Sequence, residues 1–170
     1  MSSENSALNS LDYIPYLDEQ GLISDSLQNK IGVYAIFNQE KQLQYVGYSR
    51  DIYLSLKQHL VRQPYNCYWI KYQTITRPSR TILDQIKQNW IQENGSIPIG
   101  NSEDESKWTE AIDATKQITE EEQEKYDKSD ELNKTKVLKN IARRVEADIK
   151  ETLNNRGVKM DLRFNPKLKE

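Results

Sequence analysis

The sequence predicts an α/β (α+β) chain: a small mixed sheet in a β-β-α-β-α core, followed by a charged, helical C-terminal extension. Three features point there. Two runs rich in β-branched and aromatic residues, 31–37 and 43–48, flank the polar turn Asn38-Gln39-Glu40-Lys41. Two segments with apolar residues three and four apart, 52–62 and 80–93, bracket a third alternating run at 67–75. Beyond residue 101 the period stays helical until near the end.

Each element has a local cause. The first two runs form a hairpin. Asp51 can cap the first helix, whose apolar set is Ile52, Leu56 and Leu60, and Pro64 stops it. In the third run Tyr68, Ile70 and Tyr72 alternate with Trp69, Lys71 and Gln73. Pro78-Ser79 opens the second helix, with Ile82, Ile86 and Trp90 on one face, and Asn94-Gly95 ends it. Residues 31–101 make this unit. Residues 1–30 are expected as an arm packed on it, through Leu11, Tyr13, Ile14, Tyr16 and Leu17. Residues 102–170 form the extension. There Thr119 precedes three glutamates in an N-terminal helix signature. Leu138, Ile141, Ala142, Val145, Ile149 and Leu153 trace one stripe, expected to pack on the core. Val158, Met160, Leu162 and Phe164 alternate as a possible terminal strand.

Composition narrows the function classes. Hydrophobic residues are 36% and charged residues 29%, which allows a modest core with much solvated surface. No apolar run reaches the length of a membrane span, and residues 1–10 lack the basic and apolar regions of a signal peptide. A cytoplasmic protein with no membrane contact is expected. The single cysteine, Cys67, allows no internal disulfide and reads as a strand residue in a reducing compartment, with a redox role left open. The net charge of −2 hides an alternation: residues 30–101 carry nine bases against four acids, and residues 102–132 carry twelve acids against four bases. A basic core with acidic flanks suits a polyanion ligand, or flanks and core that neutralise each other.

Two tripeptides, Gly32-Val33-Tyr34 and Tyr45-Val46-Gly47, lie on adjacent hairpin strands. Strand tyrosines are ordinary, but a hairpin can bring two phenols to one end of a sheet. The order Gly-Val-Tyr, turn, Tyr-Val-Gly, a helix with His59, a strand, a helix, then Pro98-Ile99-Gly100-Asn101 resembles the GIY-YIG endonuclease family over about residues 31–101. With Trp90-Ile91, these segments look like the domain that precedes a monothiol glutaredoxin in some plant chloroplast proteins, and like its stand-alone cyanobacterial relatives. No glutaredoxin module is visible.

The resemblance implies roles. Tyr34 and Tyr45 match the family tyrosines, the first of which activates the attacking water or relays its proton; His59 and Asn101 match its histidine and asparagine. An arginine on the first helix stabilises the phosphate, and a glutamate on the second holds a divalent metal, Mg²⁺ or Mn²⁺. At those two positions stand Ser55 and Lys87. Arg50 either reaches a phosphate from the helix entrance or is solvated. Asp84 either ligates a metal or pairs with Lys87, one turn on. His59 is either a base or a structural histidine. Arg50, Lys57 and Asn101 are expected nucleic-acid contacts. The expected function is a nuclease-fold protein with a degenerate site, a non-catalytic module binding DNA, RNA, or a protein through its C-terminal extension. The alternative is a divalent-metal-dependent endonuclease of DNA or RNA with substituted catalytic groups.

Overall fold

The computed structural model describes residues 7–112 and 114–160. In chain order its elements are β1 (Ile14–Pro15), β2 (Ile31–Phe37), β3 (Leu43–Ser49), α1 (Ile52–Arg62), β4 (Trp69–Ile75), α2 (Arg80–Asn94), α3 (Glu105–Thr109), α4 (Glu120–Lys128) and α5 (Glu131–Asn155), with short 3-10 turns between. The helix boundaries follow local chemistry. Asp51 accepts from the Leu54 N–H, Ser79 from the Ile82 N–H, and Gly95 ends α2 at φ 85°.

The four strands lie in the order β1-β4-β2-β3, and every pair is antiparallel. The expected mixed sheet is thereby corrected. A crossover helix, α1, makes β3 and β4 run the same way. The central strand β2 lies between them, so no parallel neighbours arise. The two-residue β1 comes from the N-terminal arm and pairs Ile14 with Ile70.

Alternation along β2 sorts the core into two layers. Val33, Ala35 and Phe37 pack with Leu83, Ile86 and Trp90 of α2. Tyr34 and Ile36 face the other way and pack with Ile52, Leu56 and Leu60 of α1. That second layer also takes Tyr16, Ile23 and Leu27 from the arm, and Trp108, Leu153 and Val158 from the extension. Arg156 ties the end of α5 down, with Nη1 donating to the Pro64 and Cys67 carbonyls at 2.9 and 2.6 Å. Leu138, Ile141 and Val145 of the α5 stripe pack with Ala114, so much of that stripe is covered within the chain. Of the expected terminal strand, Leu162 and Phe164 lie outside the described residues. Val158 and Met160 pack against the core without forming a strand, and the Lys159 N–H donates to the Gly21 carbonyl.

Candidate functional site

Adjacent strands and α1 bring three of the expected residues together. The register sets Tyr34 opposite Gly47, where a side chain would collide with the Tyr34 hydroxyl and the Tyr45 ring. The glycine of the second tripeptide is therefore the space that the two phenols fill. The Tyr34 Oη lies 2.7 Å from His59 Nε2, and the Tyr45 ring sits 4.9 Å from the His59 ring. Ser55 lies one turn before His59 and donates to Ser49 Oγ at 2.8 Å.

Two residues that sequence reasoning missed complete the cluster. Arg62, on α1, follows His59 by three residues and Ser55 by seven, the spacing of one helix face. That stripe was a readable signal. The Arg62 charge favours the ionised phenols of Tyr34 and Tyr45 and opposes a second charge on His59. Trp108 arrives from α3 as a buried packing residue, and nothing in the sequence tied it to the tyrosines. Its ring stacks on Tyr45 at 5.3 Å with 3° between planes, and its carbonyl accepts from Arg62 Nη1 at 2.9 Å. Gly100 makes room, because a Cβ there would lie 2.8 Å from the indole.

The cluster is sealed. Tyr34 is 3% exposed, His59 4% and Trp108 1%. Burial, aided by the neighbouring Arg62 cation, depresses His59 to about 3, so the ring is neutral at pH 7. Its Nδ1 makes no well-formed hydrogen bond. Burial raises both Tyr34 and Tyr45, and the Ser55 hydroxyl beside Tyr34 offsets this only in part. Burial opposes charge on both partners, so the pair rests as a neutral phenol and a neutral imidazole.

The other expected residues lie elsewhere. Asp84 and Lys87 sit on α2, which packs on the face of the sheet opposite Tyr34. Asp84 is exposed, and Lys87 Nζ lies over the Tyr48 ring at 5.8 Å, with no ion pair to Asp84. The metal-ligand role for Asp84 beside the tyrosines is corrected by this geometry. Among the described residues no cluster of three His, Cys, Asp or Glu can hold a metal ion. The described carboxylate whose charge acts on Tyr45 is Glu105, which falls short of a preformed all-protein site for Mg²⁺ or Mn²⁺. Arg50 is exposed at the entrance of α1, about 10 Å of helix from His59. Lys57 faces a cleft on the outer side of α1.

Asn101 is committed to the fold, which corrects its reading as a nucleic-acid contact. Its Oδ1 accepts from the Val46 N–H and its Nδ2 donates to the Val46 carbonyl, both at 2.8 Å. The side chain thus substitutes for a missing strand along the free edge of β3. Asn101→Ala is expected to cost about 2 kcal/mol in urea denaturation, because two backbone groups lose their partners. A change under about 0.5 kcal/mol would show that water replaces the amide.

An α+β domain whose two strand tyrosines close on a helix histidine is the class that fold and site define. No known family model matches the chain. It is similar to the bifunctional monothiol glutaredoxin-S16, chloroplastic, of Arabidopsis thaliana, at 35% identity over 82 residues. The match covers 46% of this chain and only 28% of that protein. The chemistry in that name does not follow the match to Cys67. This thiol is fully buried and pushed up to about 12, whereas thiol exchange requires an accessible thiolate. Among the described residues no helix is long and apolar enough to cross a membrane.

Proposed function

We propose that this protein is a non-catalytic binding module built on a GIY-YIG nuclease-type domain, and that its ligand is nucleic acid. One observation supports the loss of catalysis: the Tyr34–His59 pair is sealed beneath Trp108, and among the described residues no cluster of three His, Cys, Asp or Glu stands beside it. The substitutions at the two implied catalytic positions agree. Ser55 supplies no charge, and Lys87, in place of a metal-binding glutamate, lies on the opposite face of the sheet over the Tyr48 ring.

The ligand class rests on charge. Lys30, Arg50, Arg77 and Arg80 are exposed on the basic unit. Arg144 of the extension is already engaged by Glu122 and Asp148 at 2.8 Å, and much of the α5 stripe is covered, which weakens a protein partner there.

The test is fluorescence anisotropy with single- and double-stranded DNA and a structured RNA. Three or four phosphate contacts should weaken binding about 10- to 100-fold between roughly 50 and 200 mM salt. Tyr34→Phe should leave it unchanged. Absence of salt-sensitive binding would overturn the nucleic-acid ligand and leave a protein one.

The convergence of Tyr34, Tyr45, His59 and Arg62 favours a second reading. It is a divalent-metal-dependent endonuclease of DNA or RNA that acts once Trp108 is displaced. Glu105 is a described carboxylate whose charge acts on Tyr45, and it is the candidate metal ligand for this reading. Plasmid or RNA cleavage with Mg²⁺ or Mn²⁺, lost in Tyr34→Phe, would establish it.

A further inference from the structure

We propose that the cleft between α1 and the Ala111-Ile112 segment binds a small organic phosphate of nucleotide size. The cleft encloses about 470 Å³ and is lined by Leu54, Lys57, Gln58, Val61 and Arg62 on one wall and by Ala111 and Ile112 on the other. Small-ligand sites span about 300 to 1,000 Å³, so a mononucleotide fits. The α1 residues recur at spacings of three and four, so a single helix stripe forms one wall.

Among the described residues neither cation on that stripe pairs with a carboxylate. The ion pairs among the described residues join Lys107 with Asp104, Arg144 with Glu122 and Asp148, and Lys150 with Glu146. Neither Lys57 nor Arg62 takes part. Arg62 is held in place by one bond, to the Trp108 carbonyl, and its other guanidinium donors make no hydrogen bond to the described residues. A held arginine with donors to spare, beside a lysine, matches the several oxygens of a phosphate. Apart from Gln58, the rest of the lining is apolar. Leu54 is 53% exposed at its edge, and Val61 and Ile112 line it. That combination suits an anion with an organic body more than bare phosphate.

The site is separate from the exposed cations proposed for nucleic acid, and its test separates the two. The full chain is titrated calorimetrically with adenosine monophosphate, adenosine and inorganic phosphate. The expected order is the nucleotide first, with adenosine at least tenfold weaker. Lys57→Gln should weaken the nucleotide several-fold and Arg62→Gln at least tenfold. Should Arg62→Gln fail to fold, Leu54→Asp replaces it. That position is exposed, and the new carboxylate at the edge should weaken the nucleotide at least tenfold. No binding of nucleotide or phosphate, or equal binding by these variants, overturns the cleft site even if oligonucleotides bind. Binding to oligonucleotides that requires Arg62, with none to the free nucleotide, overturns it too and assigns Arg62 to the strand.

Discussion

Trp108→Ala is expected to lower the unfolding free energy by about 3–5 kcal/mol, the range for removing a fully buried aromatic side chain. The loss has three parts. The indole leaves its stack on Tyr45, a void opens above His59, and the loosened backbone no longer holds its carbonyl for Arg62. Trp108→Phe should cost less, because a ring remains to stack. Urea denaturation measures both. If the alanine variant folds, water reaches the cluster and the Tyr34 phenol should fall toward its ordinary value, read by ultraviolet pH titration. A loss under 1 kcal/mol, with the phenol unchanged, would show that Trp108 does not seal the site.

Acidification should destabilise the fold through His59, the chain's single histidine. In the unfolded chain the ring protonates near 6.5; in the fold it does so near 3. Between those values the unfolded state binds one more proton, so stability rises with pH and falls as pH drops below about 6.5. The slope approaches 1.4 kcal/mol per pH unit, which gives a loss of about 2 kcal/mol by pH 5. The contribution levels off below about pH 3, once the folded ring is also protonated. Glu122, held below the ordinary carboxylate range chiefly by hydrogen bonds from Arg144, acts at lower pH. The window from pH 5 to 7 therefore isolates the histidine. His59→Gln should remove the slope. A wild-type protein equally stable at pH 5 and pH 7 would refute a sealed neutral ring.

The elements were legible because their causes are local. Residues 31–37 read as a strand from β-branched and aromatic content, and the structure has β2 there. The first helix was expected at 52–62 from Asp51, an apolar stripe and Pro64, and α1 has those limits. The tyrosine–histidine meeting was also readable, since Tyr34 and Tyr45 lie on paired strands and His59 on the helix that follows. Asp84 was misplaced because helical spacing says which residues share a face, but not which side of the sheet that helix covers. That side depends on whether α2 meets Val33 or Tyr34.

The sequence by itself determined where β2, α1 and α2 lie, and that two tyrosines and a histidine come close, because caps, breakers and periodicity act over a few residues. Only the tertiary structure decided that Trp108 closes over them, that Arg62 joins them and that Asn101 is spent on Val46. Those contacts depend on where Asn101 and Trp108 land against the sheet and α1. Burial depends on neighbours distant in the chain, and burial is what raises Tyr34 and depresses His59 from their ordinary values.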